Sequence, residues 1–179
     1  YMQWTKLYDG PAGKDDDALS IELTKDSGYI IAGNVAVWFN NMQAYLLKLD
    51  ANGNVQWVKT FGGGAEDYGM FVQQTTDGGY ILLGNVNSFG MGGWDVYLVK
   101  TDNNGNLQWS KTFGGSGTDF ANVVEQTSDG GYIIFGSTNS FGVGGYDLWL
   151  IKTDNSGNLQ WNKTLGAAAG DEGSTWMTK

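Results

Sequence analysis

The sequence predicts an all-β fold built as an array of four-stranded antiparallel sheets. Three observations predict it. A unit of about 52 residues recurs along the chain, the signature of a repeat architecture. Short apolar runs alternate with Asp-, Asn- and Gly-rich turns, as in DGGYIIFG and TDNSGN. Among 179 residues there are 29 glycines and one proline, a balance that suits tight turns between strands.

The repeat is marked by fixed residues. Trp4, Trp57, Trp109 and Trp161 each close a QW pair, 52 or 53 residues apart. Asp50, Asp102 and Asp154 each open a D-x-x-G-N turn, and Tyr29, Tyr80 and Tyr132 each follow an Asp-x-Gly or Asp-Gly-Gly turn. Between residues 58–109 and 110–161, roughly three-fifths of positions are identical, which points to recent duplication or to selection for near-equivalent units. The divisions read as a partial unit at 1–8, repeats at 9–57, 58–109 and 110–161, and the start of a further unit at 162–179.

Each unit divides into strands A to D. In the last full unit these fall at Ala121–Thr127, Tyr132–Ser137, Leu148–Thr153 and Leu159–Leu165. The A–B link TSDGGY carries the Asp-Gly signal of a tight hairpin. The C–D link puts Gly157 where a bulge wants positive φ. The B–C link, NSFGVGG, is longer. Strands B and C are nearly continuous apolar runs and should be buried on both faces. Strand D alternates, with Leu159, Trp161 and Lys163 opposed to Gln160 and Asn162, and suits an outer, more exposed position.

Four antiparallel strands per unit, with each sheet sandwiched between its neighbours, describe the blades of a β-propeller or an open propeller-like array. The segment Leu46 to Trp57, L-x-x-L-D-x-x-G-x-x-x-W, resembles the tryptophan-docking repeat of quinoprotein-type propellers. The whole unit resembles blade repeats of extracellular and surface proteins of bacteria and archaea. That resemblance implies that Trp4, Trp57, Trp109 and Trp161 are structural docking residues, each wedged against the adjacent blade. It implies a quinone cofactor only for a complete ring. It says almost nothing about activity, since propellers host many unrelated functions.

The first unit departs from the pattern. Its B–C segment, NVAVWFNNMQAY, lacks the NSFGxGG glycines, and Gln43 stands where Asp95 and Asp147 stand. Its D–A link carries Pro11. The strands are expected to persist while the loops differ. The chain opens YMQW inside a D strand, Met2–Tyr8, and reads as cut or processed from something longer. By register, Ser174–Lys179 is a further A strand. A closed ring of four such units would need roughly 208 residues. Three arrangements follow: a window on a longer propeller, copies assembling into a ring or filament through the terminal strand edges, or an open stack capped by its own termini.

Composition narrows the function. The formal charge is −9, from 19 acidic and 10 basic residues, which disfavours nucleic acid and anionic membranes as partners. No apolar run reaches 18 residues, so no membrane insertion is expected. There is no histidine and no cysteine, which removes Ser-His-Asp and Cys-His chemistry and thiolate metal sites. The chain is expected not to be an enzyme. A glycosidase-like carboxylate pair remains as the alternative, but the aspartates of interest repeat, and Glu66, Glu125 and Glu172 lie in no recognisable motif.

Candidate binding residues lie in the loops. Trp94 and Tyr146 precede Asp95 and Asp147 in the glycine-rich B–C links, and Trp38 lies in the altered first one. With Phe89 and Phe141 they form a possible ligand rim for a glycan or peptide, or else plug the blade ends. The docking tryptophans are better read as packing than as sugar platforms. Asp67, Asp119 and Asp171 before A strands, and Asp95 and Asp147 at C strands, suit backbone N–H acceptance at strand ends. No cofactor is expected. Calcium is a possibility at the DNNGN and DNSGN turns and at the acidic run Lys14–Asp17, which lack the closing glutamate of a helix-flanked calcium loop. Asn162-Lys163-Thr164 is a glycosylation sequon on an outer strand. The expected role is structural or adhesive, with self-association or continuation into further repeats, in an extracellular or cell-surface setting.

Overall fold

The structure is a computed structural model that describes residues 5–8, 16–38 and 41–166. Twelve strands form three four-stranded antiparallel sheets, each a simple meander, and no helix is present among the described residues. Blade 1 comprises β1 (Asp16–Leu23), β2 (Tyr29–Trp38), β3 (Asn41–Leu49) and β4 (Val55–Phe61). Blade 2 comprises β5 (Asp67–Gln74), β6 (Tyr80–Val86), β7 (Asp95–Thr101) and β8 (Leu107–Phe113). Blade 3 comprises β9 (Asp119–Gln126), β10 (Tyr132–Thr138), β11 (Asp147–Thr153) and β12 (Leu159–Leu165). The array is propeller-like and does not close into a ring.

Register is the same in every blade. Tyr80 pairs with Gln74 and Thr101, as Tyr132 pairs with Gln126 and Thr153. Each A strand carries a bulge, at Leu19, Met70 and Asn122, and each D strand carries one, at Gln56, Gln108 and Gln160. Bulges bend a strand and raise its twist, so three equal bulge patterns give three sheets of equal shape.

The first unit keeps its strands and changes its loop, as its sequence predicts. Without the NSFGxGG glycines, β2 and β3 run on until Trp38 faces Asn41. Asp67 and Asp119 lie inside their strands rather than before them.

Two cores sit in the seams between blades. In the first, Ile30, Ala32 and Leu46 of blade 1 meet Val72, Tyr80, Leu82 and Val99 of blade 2. In the second, Ile81, Leu83, Val96 and Leu98 of blade 2 meet Val124, Tyr132, Ile134 and Ile151 of blade 3. Strand alternation sends successive residues of β6 to opposite seams. Each fully buried Leu or Ile contributes about 1.5–3 kcal/mol over leaving it exposed.

Polar staples cross the same seams. The Gly69 N–H donates to Asn34 Oδ1 at 2.9 Å, and the Ala121 N–H to Asn85 Oδ1 at 2.8 Å. Gln74 N–H donates to Glu22 Oε2, and Gln126 N–H to Gln73 Oε1. Side chains of one blade thus satisfy backbone donors on the A strand of the next, which would otherwise be left without partners.

The D strands dock as well. Trp57 packs edge-on against Tyr80, ring centroids 5.7 Å apart, and Trp109 against Tyr132 at 5.8 Å. The Trp57 ring also covers the C–D turn of blade 2. A Cβ at Gly105 would lie 2.8 Å from that ring, and Gly105 has φ of 74°, so two independent constraints demand glycine there. Beside the ring, Lys59 Nζ donates to Asn106 Oδ1, and Lys111 Nζ to Asn158 Oδ1.

The N-terminal segment repeats this docking without being a strand. Lys6 Nζ donates to Asn54 Oδ1 at 2.6 Å, and the Tyr8 hydroxyl donates to the Gly53 carbonyl at 2.8 Å. Tyr8 packs on Ile31, Leu47 and Leu49 of blade 1. The expected strand Met2–Tyr8 is corrected in its described part: residues 5–8 form no strand. A D strand needs a C strand beside it, and none of the described residues supplies one. Trp4 and Ser174–Lys179 lie outside the described residues, as do Pro11, Asp15, Asp171 and Glu172.

Candidate functional site

The blades have two chemically different ends. One holds the A–B and C–D turns, the other the B–C loops and D–A links.

At the turn end, each C strand carries a lysine among apolar neighbours. Lys48, Lys100 and Lys152 are buried, and each pairs with the aspartate of its A–B turn, Asp26, Asp77 and Asp129, at 2.9 Å. Each ammonium also donates to the carbonyl of the following residue, as Lys100 Nζ does to Thr101 O at 2.8 Å. The glycine just before the tyrosine in each turn, Gly28, Gly79 or Gly131, makes room for this. A Cβ at Gly79 would lie 2.5 Å from Lys100 Nζ and 2.2 Å from Thr101 O. The Thr24 hydroxyl and then the Lys48 ammonium draw the Asp26 carboxyl down to about 2. At Asp77 burial pushes upward, but the Thr75 hydroxyl and Lys100 prevail, and the carboxyl lies at about 2. Burial, with the Asp26 charge added, pushes the Tyr80 phenol up to about 12. These lysines were missed in the sequence because each lies in a strand read as a nearly continuous apolar run. Their recurrence two residues before the aspartate of each D-x-x-G-N turn, after L-L, L-V or L-I, was the available signal.

The D-x-x-G-N turns are self-contained. Asp102 Oδ1 accepts the N–H groups of Asn104 and Asn106, and its Oδ2 accepts the Asn106 amide. Asp50 and Asp154 do the same. Their oxygens serve the turn itself.

At the loop end, Asp67 and Asp119 tie loop to link. Asp67 accepts the N–H groups of Gly63, Asn87 and Ser88 and the Ser88 hydroxyl. Asp119 accepts the Gly115 N–H at 2.9 Å and the hydroxyls of Ser140 and Thr138. The serine of the SFG triplet is therefore the loop's anchor, a role the sequence reading did not assign. Asp95 and Asp147 each take one loop N–H, from Met91 and Val143. Asp95 is buried, and its Oδ1 has no partner. Burial raises its pKa against the pull of the Met91 N–H, and the nearby Asp119 charge raises it further.

The candidate rim residues come in pairs. Trp94 stacks on Tyr68 at 5.1 Å, and Tyr146 on Phe120 at 6.1 Å. Phe89 meets Tyr97 edge-on at 5.2 Å, and Phe141 tilts against Trp149 at 5.4 Å. Trp94 and Tyr146 are half-buried, while Phe89 and Phe141 keep an exposed side. In blade 1 the positions of Tyr68 and Trp94 hold Asp17 and Met42, so no such stack forms. The side chain of Trp38 lies outside what the structure describes.

Of the four docking tryptophans, Trp57 and Trp109 pack in seams. Trp161 is 42% exposed, with Lys163 5.8 Å from its ring centre. Asn162 is exposed, and its Oδ1 accepts the Trp149 indole N–H at 3.3 Å. Glu125 Oε2 accepts the Gln73 amide at 2.9 Å. Among the described residues no group of three or more acidic, histidine or cysteine side chains is placed to hold a metal, and no helix is long and apolar enough to cross a membrane. No family model matches the chain, and no curated protein matches it.

Proposed function

We propose that this chain is a non-catalytic structural or adhesive repeat element whose end blades join further blades. Those blades belong to other copies or to further repeats of a larger surface protein, in an extracellular setting. The tryptophan-docking resemblance of Leu46–Trp57 supports this reading. One observation carries it. The face of blade 3 turned away from blade 2 repeats the surface that blade 2 uses in the second seam, and Leu148 and Trp161 stand exposed on it. At the other end, Leu19, Ile21 and Leu23 of β1 are exposed too. Two apolar end faces built from the same repeat suit head-to-tail joining.

Mass photometry and negative-stain imaging of the chain test this. Oligomers or regular filaments that Trp161→Ala and Leu148→Ala dissolve support it. A monodisperse monomer at all accessible concentrations, insensitive to those substitutions, rejects joining between copies.

A second reading is favoured by the stacked pairs at the loop end. Tyr68 with Trp94, and Phe120 with Tyr146, present paired aromatic edges beside the exposed rings of Phe89 and Phe141. A glycan array with the wild type and Trp94→Ala separates this reading from the first.

A further inference from the structure

The three D strands each carry a Trp-x-Lys pair: Trp57 with Lys59, Trp109 with Lys111, and Trp161 with Lys163. The first two pairs are seated on the C–D turn of the next blade. The tryptophan ring lies against the turn glycine: a Cβ at Gly105 would lie 2.8 Å from the Trp57 ring, and one at Gly157 2.6 Å from the Trp109 ring. The lysine reaches the asparagine that follows, Lys59 to Asn106 at 3.3 Å and Lys111 to Asn158 at 3.1 Å. The third pair is seated on no turn among the described residues. Trp161 is 42% exposed, and Lys163 lies 5.8 Å from its ring centre.

The remaining turn seat, Gly53 and Asn54 of blade 1, is held by residues that belong to no blade. Lys6 Nζ donates to Asn54 Oδ1 at 2.6 Å, and the Tyr8 hydroxyl donates to Gly53 O at 2.8 Å. Tyr8 packs in the cluster that includes Tyr29, the register equivalent of the Tyr80 beneath Trp57. Lys6 thus takes the lysine's place and Tyr8 the place of the docking aromatic, while Trp4 lies outside the described residues. The imitation is partial. Ile31, Leu47 and Leu49 are buried, but Ile21 is 64% and Leu23 65% exposed. Ile21 pairs with Ile31 as Val72 pairs with Leu82 and Val124 with Ile134, and both valines are buried in seams. The A strand of blade 1 therefore lacks the cover that a neighbouring blade gives the other two. Blade 3 carries the matching surface. Phe135 and Leu148 stand where Leu83 and Val96 of blade 2 fill the second seam. Glu125 stands where Glu22 and Gln73 accept the N–H groups of Gln74 and Gln126, and the Leu23 N–H is the corresponding donor on blade 1.

We propose that the C–D turn of blade 1 is the docking seat for Trp161 and Lys163 of a second copy, and that Lys6 and Tyr8 form a cap which the second copy displaces. This rests on the joining of copies and adds its site and its gate. The joint continues the pattern of the two internal seams, with the same pair on the same turn. A cap can compete with it because the joint is weaker than an internal seam. Ser137 stands where Asn34 and Asn85 staple the next A strand, so that staple is missing. The cap in turn holds the seat through only two printed hydrogen bonds and one ring, so it can yield. Copies then join reversibly, and the balance between cap and joint sets the concentration at which they do.

Analytical ultracentrifugation of the full chain over a wide concentration range reads the gate. Lys6→Ala combined with Tyr8→Phe removes both hydrogen bonds of the cap and keeps an aromatic ring over Leu49, so blade 1 retains its packing. The half-association concentration should fall by about 10-fold, the worth of two modest hydrogen bonds. Adding Trp161→Ala or Lys163→Ala should reverse that gain. If the wild type associates and the Lys6→Ala, Tyr8→Phe chain associates equally or less, the cap is overturned while the joining of copies stands. If the gain appears but neither Trp161→Ala nor Lys163→Ala reverses it, the seat takes another occupant and the proposal fails. Monomers in every variant at all accessible concentrations overturn the joining of copies and this proposal with it.

Discussion

Blade 2 and blade 3 are nearly the same sequence in different surroundings. In β6 and β7 every residue is buried. In β10 burial alternates strictly, and in β11 Leu148 is exposed and Leu150 only half-buried. The strands are equally apolar, and the register is equal. What differs is cover: blade 2 has a blade on each side, and among the described residues blade 3 has one. Two-sided burial is therefore a property of the row and not of the strand, and an apolar run like Leu148–Ile151 states a need for two neighbours.

The largest test of this comparison uses equivalent positions on β6 and β10. Leu83 is fully buried in the second seam, while Phe135 points to the open face and is half-buried. Leu83→Ala should cost about 3–4 kcal/mol in urea unfolding. Phe135→Ala should cost under about 1 kcal/mol although it removes a larger side chain. If Phe135→Ala proves as costly as Leu83→Ala, the open face is covered in solution, and the joining of blades gains direct support.

The docking tryptophans give the next contrast. Trp109→Ala loses the packing on Tyr132 and on the Gly157 turn and should cost about 3 kcal/mol. Trp161→Ala should cost under about 1 kcal/mol in the isolated chain. Acrylamide should quench Trp161 preferentially, so the Trp161→Phe protein should show the lower quenching constant. Equal quenching in the two proteins would mean that Trp161 is sheltered.

How much of this was legible beforehand follows from what repeats. The strands, the A–B hairpins and positive φ at Gly157 (75°) could be read because each is dictated within one unit. The backbone-accepting role of Asp67 and Asp119 could be read for the same reason. The buried lysines could not, because Lys100 looks like a polar break in an apolar strand until Asp77 is brought beside it from another turn. The seam staples were also hidden. Asn34 and Asn85 serve the A strand of the next blade, and nothing local marks them. Blade 3 has Ser137 at that position, a shorter side chain on the face that is open. Asp95 was visible only as a repeated aspartate. Its burial was hidden, and so was the nearby charge of Asp119, which comes from the neighbouring blade and raises its pKa further.

Features contained within one sheet should ignore the difference in cover, and this sharpens the comparison from the other side. Asp77→Ala strands the Lys100 ammonium in apolar surroundings. About 2 kcal/mol is expected, below the value for a fully buried pair, because Asp77 is half in water. Asp129→Ala strands Lys152 in the same way and should lower the melting temperature by a similar amount, although blade 3 has one face open. A much larger effect in blade 2 would show that the seam, not the pair, sets the strength.

The smallest effect is the pH dependence of these pairs. Asp26 and Asp77 titrate at about 2 in the folded chain, and Asp129 is lowered as well, chiefly by the Thr127 hydroxyl and Lys152. In the unfolded chain an aspartate titrates near 3.9. Because the folded value is the lower one, the unfolded chain binds more protons in this window, and stability falls as pH falls. The contribution is complete above about pH 5 and is lost progressively between about pH 4 and 2. Melting temperatures measured from pH 5 down to 2 should fall. The fall should be shallower in Asp77→Asn and in Asp129→Asn, by similar amounts, since both pairs lie within their own sheets. A wild-type curve flat across that window would mean that the ammonium groups find other partners once the carboxylates are protonated. The carbonyls of Thr101 and Thr153, already at 2.8 Å, are the groups placed to take that role.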